Sequence, residues 1–124
     1  MEKFATFARI AEIEFSDIVL STQDLGHKLR IYISDKSFID FFYTTALKTK
    51  RFSIHWEKRH IDNTFYRLDN TPDKSWNKVK TFPIHFHKER YNQVSEPPFS
   101  LKNKDTLATF LRKFLGFVKE NLRK

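Results

Sequence analysis

Two histidines one residue apart, His85 and His87, carry the clearest chemical potential of the chain, in the stretch Thr81-Phe82-Pro83-Ile84-His85-Phe86-His87. As a β-strand this stretch turns Phe82, Ile84 and Phe86 to one face and both imidazoles to the other. The rings then project together from a strand whose back is fixed in a core, with Cα atoms about 6–7 Å apart. Imidazole titrates near neutrality, so such a pair suits proton transfer, phosphate binding or metal ligation. Alternation does not choose among the three. Two surface histidines on a half-exposed strand would give the same pattern.

Composition narrows the chemistry. The chain has 124 residues and no Cys, which excludes disulfides, thiolate metal sites and a cysteine nucleophile. Two Gly in the whole chain make a phosphate-cradling loop untenable, and no serine sits in a nucleophile elbow. Fourteen Phe supply much of a core, and with four Pro little of the sequence reads as linker. The formal charge of +8 favours polyanionic partners, above all nucleic acid. No apolar run reaches the length of a membrane span, and the start Met1-Glu2-Lys3-Phe4-Ala5 carries no signal-peptide pattern. These features predict a soluble cytoplasmic protein with no membrane partner, folded as a single domain over 1–124.

The elements that must position the histidines follow from periodicity. Phe4, Phe7, Ala8, Ala11 and Phe15 recur at intervals of three and four, predicting an amphipathic helix over 2–15. Strands are expected at 18–20, 29–33, 38–44, 52–60 and 65–70, ahead of the histidine strand. Gln23-Asp24-Leu25-Gly26 and Ser34-Asp35-Lys36-Ser37 read as turns, and Ser95-Glu96-Pro97-Pro98 as a break. From about Asp105, Leu107, Phe110, Leu111, Phe114, Leu115 and Val118 trace a helical stripe. The expected architecture is α+β: an antiparallel meander flanked by an N-terminal and a C-terminal helix, both on one face. Phe117 lies off the core stripe and predicts a contact of the closing helix, with the N-terminal helix, to a second copy, giving a homodimer, or to another partner; packing of Phe117 under the N-terminal helix is an equal reading.

Register gathers the polar residues. In 52–60, Phe52, Ile54 and Trp56 form an apolar side, with Ser53, His55, Glu57 and Arg59 opposite; Tyr66 and Leu68 alternate with Arg67 and Asp69. A two-residue loop at Asp62-Asn63 would mix these faces. A three-residue loop, Asp62 to Thr64, keeps them apart and pairs Arg59 with Arg67 and Glu57 with Asp69. His55, Arg59, Arg67 and Asp69 then share one face, and His85 and His87 join it if the next strand packs alongside. Like charges set opposite one another cost energy unless diagonal pairing or an anionic ligand relieves them. A solvated face of Arg–carboxylate pairs is an equal reading of these residues.

The runs Ile54-His55-Trp56, Tyr66-Arg67-Leu68-Asp69-Asn70-Thr71-Pro72 and Thr81 to His87 resemble the TumE-type toxin family. Its pattern has a His-Trp, an Arg-x-Asp-Asn-x-Pro-His and a Phe-Pro-His-His-x-His, then a Ser-Glu segment and a closing helix. The resemblance covers roughly 27–120, with three motifs in order. Asp73 and Ile84 stand where the family carries histidines; His85, His87, Arg67, Asp69 and Asn70 match. The resemblance implies a growth-inhibiting toxin of a two-gene module, neutralised by an antitoxin, expected to be a helix-turn-helix protein.

RNA cleavage is the chemistry expected of such a basic toxin. Without metal it needs a base for the 2′-OH, an acid for the 5′-oxygen and cations for the developing charge. His85 and His87, or one of them with His55, could be acid and base; Arg67 with Arg59 could hold the phosphate, and Asp69 could orient a histidine or fix Arg67. Arg67–Asp69 as a purely structural pair is the plainer alternative. The expectation is a metal-independent ribonuclease without cofactor; His85, His87 and Asp69 as three metal ligands rank second. Trp76, in a polar loop with Lys78 and Lys80, could stack on bases, whereas Trp56 reads as core. The competing class is a non-catalytic basic protein that grips nucleic acid or an acidic partner through Arg59, Arg67, Lys78 and Lys80.

Overall fold

The computed structural model describes residues 3–44, 51–71, 83–90, 93–102 and 105–122. Seven strands form one antiparallel sheet in sequence order: β1 Val19–Asp24, β2 Leu29–Ile33, β3 Phe38–Thr44, β4 Arg51–Lys58, β5 Thr64–Asp69, β6 His85–Lys88 and β7 Val94–Ser95. Helix α1, Ala5–Arg9, precedes the sheet, the short α2, Arg59–Asp62, joins β4 to β5, and α3, Leu107–Leu122, closes the chain. The expected α+β meander with a helix at each end is what forms. No helix among the described residues is long and apolar enough to cross a membrane.

Alternation builds one apolar sheet face. Leu29, Phe41, Ile54, Leu68 and Phe86 pair successively across β2 to β6, and each is buried. Phe7 packs on Phe41, with ring centroids 4.7 Å apart, and Phe110 stacks on Phe52 at 5.1 Å. From α3, Phe110, Leu111, Phe114, Leu115 and Val118 are buried, the stripe that three-and-four spacing selects. Thr106 caps this helix, its Oγ1 accepting the Thr109 amide. Trp56 is core, its Nε1 donating to the buried Ser37 hydroxyl at 2.7 Å.

Several expectations need correction. The N-terminal helix is not continuous: after Arg9 the chain widens into a π-helical segment, Ile10–Glu14, that buries Ile10 and Ala11. β1 runs on through Gln23 and Asp24, and the turn contracts to the stretch after it, where Gly26 takes φ +91°. A two-residue β7 at Val94–Ser95 precedes the proline break. Phe117 is not an unpartnered side chain: it is part-buried, with its ring 5.2 Å from Tyr66, 5.4 Å from Phe86 and 6.2 Å from Trp56. Among the described residues, the large apolar side chains that do stay exposed are Ile13, Leu20 and Ile61.

The β4–β5 register also differs. His55 lies opposite Arg67 and Ser53 opposite Asp69, rather than Arg59 opposite Arg67 and Glu57 opposite Asp69. The strand stops at Lys58, Arg59–Asp62 coil into a helical turn, and Asn63 caps it at φ +65°. Glu57 draws Arg59 into that turn, accepting its amide at 2.8 Å and its guanidinium at 2.6–3.0 Å. The slip is even, so every side chain keeps its face while both like-charge oppositions vanish.

Candidate active site

On the sheet face opposite the long helix, cross-strand pairing builds a polar row. Arg30 faces Asp40, Asp40 faces His55, His55 faces Arg67 and Arg67 faces His87. Beside it a second row runs Ser53, Asp69, His85. His55, Arg67, Asp69, His85 and His87 therefore come together from three adjacent strands. Arg59 reaches the same region from α2, although it is not on the sheet. Trp76, Lys78, Lys80 and Asp73 lie outside the described residues. Ile84 packs part-buried against the hydrophobic core.

The outer part of the site is a concavity of about 340 Å³ whose polar walls are Lys28, Arg30, Asp40, His55, Glu57, Arg59 and Arg67. His55 lines it and is stacked on Phe65 with centroids 5.1 Å apart. Its Nε2 lies 3.1 Å from Glu57 Oε1, and its Nδ1 is 3.5 Å from an Arg67 guanidinium nitrogen. Nε2 donates to the carboxylate, which leaves the Nδ1 lone pair toward Arg67. Burial pushes the His55 pKa down, and Arg67 adds to this against the opposing pull of Glu57. His55 is therefore neutral at pH 7. Glu57 is drawn down to about 2, first by the Arg59 guanidinium that it accepts. On the far wall Asp40 accepts Arg30 and Lys28, each at 2.8 Å. Burial alone would raise the Asp40 pKa, but these two cations more than offset it and leave it lowered.

The inner part is sealed. Asp69 is 4% exposed, and His85 and His87 are each 2% exposed. His85 Nε2 lies 3.2 Å from Asp69 Oδ1 and His87 Nε2 3.7 Å from Oδ2. Arg67 Nε donates to Oδ2 at 3.0 Å and the Thr71 amide to Oδ1 at 2.9 Å. The Arg-x-Asp spacing places both groups on one face of β5, while the turn that follows lends its amide. Asn70 points the other way, its Oδ1 accepting the Phe52 amide at 3.0 Å and tying the end of β5 to the start of β4. Arg67 is the bridge between the two parts, contacting His55 outside and Asp69 inside.

Sequence reasoning missed Lys28, Arg30 and Asp40 as members of this site. The signal was the single carboxylate in Phe38-Ile39-Asp40-Phe41-Phe42, opposite Arg30 across the turn at 34–37. A lone charge in an aromatic strand needs a partner on its own face.

No curated protein and no solved structure matches the chain. The family model described as Toxin TumE matches residues 3–122, reaching past the three motifs at both ends. The chain belongs to the TumE toxin family: it is the toxin of a toxin–antitoxin module, and its partner is an antitoxin.

Proposed function

We propose that this toxin acts on RNA as a ribonuclease, with the scissile phosphate seated in the concavity around His55 and Arg67. The observation that carries the proposal is the meeting of a neutral histidine with Lys28, Arg30, Arg59 and Arg67 on a sheet face that α3 leaves open. His55 Nδ1 takes the 2′-OH proton as that oxygen bonds to phosphorus, and the 5′-oxygen leaves with a proton from the water that fills the open concavity. Arg67 holds the phosphate and the charge that develops on it, with Arg30 and Lys28 at the opposite wall. The base and the cations belong to side chains, so this step needs no metal ion. His85 and His87, at 2% exposure, act as positioning residues: through Asp69 they fix where Arg67 points. Trp76, Lys78 and Lys80 follow β5 in sequence and extend the RNA contact. The antitoxin is a helix-turn-helix protein, on the resemblance of the motifs. The homodimer expected from Phe117 has lost that ground, since the ring packs on its own sheet.

Purified protein is incubated with total RNA in EDTA across a pH series, and the same variants are induced in growing cells. Cleavage and growth arrest by the wild type, both lost in His55→Ala and Arg67→Ala, are the expected results. A wild type that cleaves nothing at any pH, with or without divalent metal, would overturn the ribonuclease assignment. If that protein still bound RNA with an affinity falling steeply with salt, the cations alone would be the function.

A further inference from the structure

We infer that Asp69, His85 and His87 form a binding site for a divalent transition-metal ion. The three ligating atoms lie within 4.8 Å of one another, and all three residues are buried. Metal–nitrogen and metal–oxygen bonds of about 2.0–2.2 Å bring two donors on one ion to about 3–3.6 Å apart. The 3.2 Å contact from His85 to the carboxylate is at that spacing and the 3.7 Å contact from His87 lies just beyond it, so small side-chain shifts bring the three atoms, grouped within 4.8 Å, onto one ion.

The hydrogen bonds around the triad point the same way. His85 Nδ1 lies 2.9 Å from the Pro83 carbonyl oxygen, which can only accept, so Nδ1 carries the ring proton. In a neutral ring the Nε2 lone pair then faces Asp69 Oδ1. A metal ion placed between them takes both lone pairs as ligands. A backbone carbonyl fixing the far nitrogen is the outer arrangement that ligating histidines adopt. Asp69 has outer partners too, in Arg67 Nε and the Thr71 amide. Two imidazoles and one carboxylate, without thiolate, suit zinc, cobalt, nickel, iron or manganese rather than magnesium or calcium. Three protein ligands leave a coordination position for water or a small anion. The sequence favoured metal-free chemistry at these residues; their spacing and burial favour the ion.

The ligands come from β5 and β6, which are separate in the unfolded chain, so binding strengthens folding. The test uses untagged full-length protein, stripped with EDTA and dialysed against zinc, cobalt, manganese or magnesium. One zinc or cobalt ion should stay with each chain, and cobalt should give visible ligand-field absorption. Zinc at about a hundredfold excess over its dissociation constant should raise the melting temperature by about 10 °C, and magnesium should not. Asp69→Asn and His87→Ala should abolish retention, while His60→Ala should keep it. If the ligand variants do not fold, stoichiometry and melting of the wild type decide alone. A folded wild type that keeps no zinc or cobalt and melts at one temperature in all four metals would overturn the site, leaving a buried polar cluster without an ion. Ion binding is read without RNA, so it can fail while the ribonuclease proposal stands, and the reverse.

Discussion

His55 and the pair His85/His87 lie on the same face of one sheet, separated by β5 alone, and both have a carboxylate as neighbour. Burial divides them. His55 keeps an opening onto a concavity lined by cations, and its carboxylate is engaged by the exposed Arg59. His85 and His87 share a carboxylate that solvent does not reach. The same side chains therefore suit different work: a neutral ring at an open wall can take a proton from a substrate, whereas two rings around a sealed carboxylate can hold a cation or a strand junction. All three stand inside the family motifs, so membership of a motif does not tell which role a histidine takes. Exposure at the end of its ring decides.

The widest separation between the two regions should appear in activity. His55→Ala should lower RNA cleavage by about 10²–10⁴-fold, the range of a lost general base, while barely moving the melting temperature. Equal loss of stability and cleavage would break the division. The inner region should respond in the opposite sense. Asp69→Ala removes the buried carboxylate that accepts Arg67 and that both His85 and His87 face, and should cost about 3–5 kcal/mol of folding stability in a denaturant titration. A loss below about 1 kcal/mol would mean that the triad is an ordinary polar surface.

Phe117→Ala tests the other sheet face and should destabilise by about 2–3 kcal/mol, toward the lower end for a buried aromatic because the ring is only part-buried. Antitoxin binding, measured on folded variant protein, should be unchanged. The smallest effect is electrostatic. Glu57 titrates near 2 in the fold against 4.5 ordinarily. Its lowered value gives stability that is present above pH 4.5 and is lost as pH falls toward 2. Arg59 is 59% exposed, so screening leaves about 1 kcal/mol of this, and Glu57→Gln should flatten that part of the acid limb. His55 has a sign of its own: its lowered pKa places the acidic fall of cleavage below pH 6.5, and stability tied to its neutral form weakens below that pH.

The sheet was legible because alternation and turn residues agreed. β2 and β3 form where Leu29-Arg30-Ile31-Tyr32-Ile33 and the aromatic run 38–44 predict them, about a turn with Lys36 at φ +75°. The shared face of His55, Arg67, Asp69, His85 and His87 was legible too, since parity survives any even slip of register. The register itself was not. It depends on Glu57 recapturing Arg59 into a helical turn, a contact between neighbours in the chain that strand periodicity does not encode. Nor was the sealing of the two histidines legible, since alternation gives the face of a side chain and says nothing of what covers it. Phe117 misled for a related reason: helical spacing marks it as off the stripe, but the aromatic rings of β4, β5 and β6 extend far enough to meet it.

The strictly sequential strand order has a kinetic consequence. Every strand pairs with its neighbour in the chain, so sheet assembly needs few long loop closures and can proceed hairpin by hairpin. The clasp between the ends is different: Arg112 on α3 reaches Glu14, 98 positions away. The His55 concavity can take shape once β2 to β5 have paired, and the histidine pair is added with β6. A chain leaving the ribosome would hold the parts of its site before α3 arrives to cover the opposite face. In the interval between pairing and closure, the apolar back of the sheet is open to whatever reaches it first.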